Sequence, residues 1–192
     1  MAEIKPFKGL RYTEKAGGIK NLCCPPYDIV SGEQRQNLIE KNEYNIIRLE
    51  LPALEANEDF TPYREAAETL RSWLSEGILK RDEKEAVYIY EMEFSVQGKS
   101  HKVKGFVSLV KAEPFDKEII LPHEETLSKA KTDRFNLMKA TGCNFSQIYS
   151  LYADEDNSVF DIIERASKRT PDSEFTDDEN VTHRMWIADD PD

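Results

Sequence analysis

The chain has little to cross-link it and nothing in it to hold it in a bilayer. It has three cysteines, and two of them, Cys23 and Cys24, are adjacent. That number makes a poor disulfide framework and lacks the spaced pairs of a zinc site, so buried or half-buried thiols are expected. No run approaches the roughly 18 apolar residues of a spanning helix. The start, Met1-Ala2-Glu3-Ile4-Lys5, lacks the apolar core of a signal peptide, so a cytoplasmic protein with no membrane partner is expected. Positive charge is also short: 26 Lys and Arg stand against 37 Asp and Glu, a net −11. A nucleic-acid partner is therefore not expected, because such proteins usually present a basic face. There is no glycine-rich phosphate loop, nucleophile elbow, His-Glu-x-x-His or cysteine knuckle.

What is present suits a folded domain. With 192 residues, 39% hydrophobic and 10% aromatic, the chain can bury a sizeable core, and one α+β domain over residues 1–192 is expected. From Asp154 to Asp192 there are 13 acidic residues against 4 Lys and Arg, so most of the negative excess lies late and residues 172–192 read as an acidic end.

Patterning sets the expected elements. Phe7–Tyr12 alternates as a short strand, and Cys23-Cys24-Pro25-Pro26-Tyr27-Asp28 then breaks regular structure, because two prolines remove donors and fix φ. Ser31-Gly32-Glu33-Gln34 is a capping box opening a helix through Lys41. Ile46–Leu51 reads as a strand ended by Pro52. Thr61 as N-cap and Pro62 at the first helical position open a helix whose Tyr63, Ala66, Ala67, Leu70, Trp73 and Leu74 share a face until Gly77. Residues 86–112 form a long hairpin turning at Gln97-Gly98, with Tyr88, Tyr90, Met92, Phe94 and Val96 on one face and, on the other, Glu91 and Glu93, which are expected to be solvated, with Lys131 and Arg134 as the alternative partners. Strands at Glu118–Leu121, Phe145–Tyr152 and Val181–Ile187 and a helix at Ser158–Ser167 complete a mixed, largely antiparallel sheet with three to four helices.

The densest chemistry lies at Leu121-Pro122-His123-Glu124-Glu125-Thr126-Leu127-Ser128, where a strand is expected to pass into a helix running to about Thr141. Thr126 is placed to cap it, and free amides at a helix start attract a phosphate or carboxylate. The apolar stripe Leu127, Ala130, Leu137, Met138 contains Lys131 and Arg134 at 100° per residue, which aims both cations inward to meet an acid, a bound anion or a solvated cleft. His123 and Glu124 are candidates for proton transfer, with Glu125 a further carboxylate beside them. Asp28, held by Pro25-Pro26, is a candidate preorganised carboxylate. The bland alternative leaves the glutamates favouring the helix dipole, His123 hydrogen-bonded in a loop, the cations snorkelling past the core, and Asp28 in an ordinary turn.

Together Pro6-Phe7-Lys8-Gly9-Leu10-Arg11-Tyr12, Pro25-Pro26-Tyr27-Asp28, Tyr44-Asn45-Ile46-Ile47-Arg48-Leu49-Glu50-Leu51, the Trp73 helix, and Leu121-Pro122-His123-Glu124 with Thr126, Lys131, Asp133 and Arg134 resemble the bacterial and archaeal family known as domain of unknown function number 1015. Its members are longer and continue to an Asp-Gly-His-His-Arg motif similar to one in free-serine kinases of the ParB and sulfiredoxin-like superfamily. This sequence has no such motif, so the resemblance implies that it corresponds to the amino-terminal part. Family genes often lie beside those of serine biosynthesis, which implies a serine-like substrate.

Three readings follow. As a nucleotide-dependent phosphotransferase on serine or a similar metabolite, the protein would use ATP or ADP with magnesium. Lys131 and Arg134 would then steady phosphate, His123 or Glu124 would move a proton, Asp28 would hold the metal or substrate hydroxyl, and Tyr27 and Thr126 would line the anion site. As a regulatory module, the same residues would bind an anionic metabolite without turnover. As a structural half-domain, the charges would only pair internally.

Overall fold

The structure is a computed structural model and describes residues 2–54, 59–123, 125 and 127–190. In chain order it contains β1 (Ile4–Lys5), β2 (Leu10–Tyr12), α1 (Gly32–Lys41), α2 (Ile47–Glu50), α3 (Thr61–Ser75), β3 (Leu79–Arg81), β4 (Val87–Val96), β5 (Lys99–Val107), β6 (Leu109–Val110), α4 (Ser128–Thr141), α5 (Ser158–Ala166), β7 (Ser173–Thr176) and β8 (Thr182–Ala188). The fold is α+β. Its contacts gather into two compact units: a sheet unit of Met1–Gly9, Arg81–Leu121 and Tyr149–Asp192, and a helical unit of Leu10–Lys80 and Pro122–Ile148.

The sheet unit is built on an antiparallel sheet of order β5-β4-β8-β7. The expected hairpin forms β4 and β5, and Gln97 and Gly98 turn it with φ of 51° and 75°, as a tight turn matching the strand twist requires. Ile89 and Trp186 pair across β4 and β8 and bury themselves with Ile163 of α5, Phe106 packing alongside. β1 pairs with β6, and Phe7 bridges Ala86. Gly9 is required here: its amide donates to Tyr88 Oη at 2.7 Å, and a Cβ would stand 2.7 Å from that same oxygen.

In the helical unit the core collects Leu22, Leu49, Tyr63, Leu70, Trp73 and Leu137, with Tyr12 and Tyr44 against the Trp73 ring. The capping box of α1 has both its bonds, Gln34 N–H to Ser31 Oγ at 3.2 Å and Ser31 N–H to Gln34 Oε1 at 2.8 Å. α3 has Phe60 rather than Thr61 at its cap position, with no side-chain cap bond, carries Pro62 in its first turn, buries Tyr63, Ala66, Ala67, Leu70 and Trp73, and is followed by Gly77 at φ 71°.

Several expectations are corrected. Ile46–Leu51 is a helical turn rather than a strand. Buried Asn45 accepts the Ile47 amide with Oδ1 at 3.0 Å while its Nδ2 donates to the carbonyls of Asn21 and Cys23, and an asparagine that bonds its own backbone two residues on starts a turn. With α2 added, the described residues hold five α-helices rather than three or four. Glu118–Leu121 is no strand, since Glu118 sits at φ 52° behind a 3-10 turn, in the left-handed region where a strand cannot run. Phe145–Tyr152 alternates but pairs with nothing among the described residues, and Ile148 and Leu151 are 86% and 88% exposed. β7 was not foreseen. β8 begins one residue later than expected and ends at Ala188.

Candidate functional site

The helical unit gathers two buried carboxylates, Glu50 and Asp133, around Arg134. α4 presents Ala130, Asp133, Arg134, Leu137 and Ala140 inward, a face at spacings of three and four. The expected stripe was out of phase: Leu127 and Met138 are exposed, and so is Lys131, which therefore does not point into the interior as anticipated. The phase is set by Asp133. Tyr63 has its ring sealed in the core and its hydroxyl in need of an acceptor, and it donates to Asp133 Oδ1 at 2.7 Å.

Arg134 is held on three sides. Its Nε and Nη2 donate to Asp133 Oδ2 at 2.8 and 2.5 Å, Nη1 donates to Glu50 Oε1 at 2.9 Å, and Nη2 also donates to the Glu50 carbonyl at 2.9 Å. Its Cζ lies 3.8 Å from the centre of the Tyr27 ring, close enough for cation–π attraction. Ser146 donates to Glu50 Oε1 as well. The carboxylates lie deeper than the cation: the side chains of Glu50 and Asp133 are 7% and 10% exposed, that of Arg134 23%. Burial pushes the Glu50 carboxyl above the usual glutamate range. The Ser146 bond and the Arg134 charge pull it down, and Asp133 adds to the rise. Burial also raises the Tyr63 hydroxyl to about 12, reinforced by its bond to Asp133. Tyr27 is raised by burial against the opposing pull of Arg134. Cys24 is pushed up to about 12 by burial, then by Glu50, and Cys23 to about 11, so both thiols are poor nucleophiles near neutral pH.

Asp28 is exposed on the 3-10 turn Tyr27–Ile29, and His123 is exposed. Glu124 and Thr126 lie outside the described residues. Among the described residues no group of three His, Cys, Asp or Glu side chains could hold a metal ion. Sequence reasoning missed Glu50, Tyr63, Asp133 and Ser146. Asp133 stands next to Arg134 and three residues before buried Leu137, a spacing that could have shown it on the inner face.

The sheet unit has its own charge row. Lys104, Glu91, Arg184 and Glu174 stand in register across β5, β4, β8 and β7. Glu91 is not solvated but 4% exposed, with Arg184 Nη1 at 2.8 Å and Lys104 Nζ at 3.2 Å. Burial would raise its carboxyl, but the hydrogen bonds from Arg184 and Lys104 and the nearby lysine charges carry it below the usual range.

Residues 4–192 match the family described as Protein of unknown function (DUF1015). The chain belongs to that family. The match takes in both the Arg134 cluster and the charge row, so the two arrangements lie within one DUF1015 domain region. No curated protein and no solved structure matches this DUF1015 chain.

Proposed function

We propose that the protein binds a small metabolite through the cluster of Tyr27, Glu50, Asp133 and Arg134. The observation that carries this is the lopsided burial: two carboxylates sit deeper than the one guanidinium between them, and that guanidinium stays partly open on an aromatic face. Buried ion pairs add little stability over apolar packing. A buried carboxyl raised above its usual range, as Glu50 is, occurs at functional sites more often than elsewhere. With both acids ionised the cluster carries one excess negative charge, so it favours a ligand that brings an ammonium or hydroxyl donor beside its anionic group. Serine and similar hydroxy-amino acids have that combination.

A second reading is favoured by Glu50, whose raised affinity for a proton suits proton transfer. In nucleotide-dependent phosphoryl transfer the metabolite hydroxyl would give its proton to Glu50 as its oxygen bonds the terminal phosphorus, and the nucleoside diphosphate would leave. Arg134 would steady the phosphoryl oxygens. The local negative charge opposes an approaching phosphate, which ranks this reading second. Lys131 and Asp28, both exposed, add nothing to it here.

The test is a thermal-shift series with serine, phosphoserine, and ATP or ADP with magnesium, on the protein and on Arg134→Lys. Ligand at about ten times its Kd raises the unfolding midpoint by about 3 to 5 °C. A rise lost in the variant supports the binding site, and serine-dependent release of ADP from ATP, or of AMP from ADP, supports the second reading. Silence across the series removes both.

A further inference from the structure

We propose that the helical unit holds a second, separate site, a cleft between α1, α2 and α3 that takes the oxyanion head group, phosphate or carboxylate, of a small metabolite on Arg35 and Arg48. The cleft encloses about 390 Å³ and is lined by both arginines, by Ile39 and Trp73, and by Glu43 and Glu65. Both arginines are half-buried residues, while both glutamates are exposed.

The argument rests on what these cations lack. Arg35 donates from Nε to the Leu51 carbonyl at 2.7 Å and from Nη2 to the Pro52 carbonyl at 3.3 Å, and Arg48 donates from Nη2 to the Ile39 carbonyl at 3.2 Å. Each guanidinium has five N–H donors, so these three bonds leave most of the ten unused. Arg48 Nε is buried and has no hydrogen-bond partner, and among the described residues no carboxylate lies within ion-pair distance of either arginine. Two like charges facing one cleft repel. Arg35 has its pKa lowered, first by burial and then by Arg48. An oxyanion with two oxygens side by side answers each of these features: it neutralises the repulsion and presents paired acceptors to a guanidinium fork. The exposed glutamates resist a polyanion, which restricts the ligand to a small one, and a cleft of this volume fits a metabolite. Trp73, Ile39 and Ala66 supply apolar wall for its remainder.

This site is independent of Arg134, so Arg134→Lys leaves it intact. The experiment titrates the full chain with sodium phosphate and, separately, sodium acetate against sodium chloride at equal ionic strength, reading the unfolding midpoint and the fluorescence of Trp73. The same titrations are run on Arg48→Gln and Arg48→Lys. The expected result is a saturable change in emission that Trp73→Phe removes, a rise of about 3 to 5 °C near ten times Kd, and loss of both responses in Arg48→Gln. The anion with the lower half-saturation identifies the head group. Should Arg48→Gln not fold, Arg48→Lys, which keeps the charge and loses the fork, is expected to weaken binding about tenfold. No saturable response to either anion, or an equal response in the Arg48 variants, overturns the proposal.

Discussion

Glu50 and Glu91 are both buried glutamates, one in each unit, and they end in opposite electrostatic states. Glu50 is 5% exposed, shares one arginine with Asp133 and has its carboxyl raised; Glu91 is 4% exposed, meets Arg184, Lys104 and Lys102, and has its carboxyl lowered. Surface exposure is the same within a percent, yet Glu50 is embedded in more protein than Glu91, and burial is the main cause of its rise. The number of cations per carboxylate adds to that difference. A sheet settles this through register, since cross-strand neighbours of β4 place cations on both sides of Glu91. In the helical unit no such ladder exists, and Arg134 must serve two acids while also binding the Glu50 carbonyl.

The largest test of this contrast is removal of the central cation from each group. Arg134→Ala leaves Glu50 and Asp133 buried without a counter-charge and should cost about 3 kcal/mol or more. Arg184→Ala leaves Glu91 with two lysines and should cost roughly 1.5 kcal/mol. Urea unfolding, followed by fluorescence of Trp73 and Trp186, one in each unit, reads both. Equal losses would show that the remaining lysines do not compensate Glu91.

The next test uses pH, where the two acids should act with opposite sign. Glu50 binds its proton more tightly folded than unfolded. Between the ordinary value of 4.5 and its raised one the native state holds a proton that the unfolded chain has released, so stability falls as pH rises through that window. Glu91 is lowered, so its contribution is present above 4.5 and is lost as pH falls through its folded value. Glu50→Gln should therefore flatten the stability profile above pH 4.5, and Glu91→Gln should flatten it below. Equilibrium unfolding at steps from pH 3 to pH 8 decides, and a common direction for both variants would end the comparison.

These differences also explain what could be seen in the residue order. Local rules read well: Ser31 to Gln34 gave a cap, Gln97-Gly98 a turn, and Thr61-Pro62 a helix start, each depending on residues within four positions of one another. The Glu91 row did not read, because pairing Lys104, Arg184 and Glu174 with one residue needs the strand order, which puts β8 beside β4 across some ninety residues. Arg134 reads correctly as an inward cation, whereas Lys131, on the same apolar phasing, does not. The stripe had been phased on apolar residues, while the helix is phased on Asp133, a charged residue made fit for the interior by the Tyr63 hydroxyl. Asn45 hid α2 for a similar reason, since its side chain bonds backbone more than twenty residues away.

The smallest effect expected is at Tyr27. The face of its ring attracts the Arg134 guanidinium without giving it a hydrogen bond, and the four bonds to Asp133 and Glu50 persist when the ring is lost. Tyr27→Leu keeps apolar cover over the guanidinium and removes the quadrupole, so the loss should be about 0.5 to 1 kcal/mol, well below that of Arg134→Ala. The same variant should also leave the Glu50 profile above pH 4.5 unchanged in slope, because that carboxyl is held by Arg134 and Ser146 and its rise comes from burial and Asp133. A loss as large as that of Arg134→Ala would mean that the ring, rather than the two acids, fixes the guanidinium, and the count of cations per carboxylate would no longer add to the difference between Glu50 and Glu91.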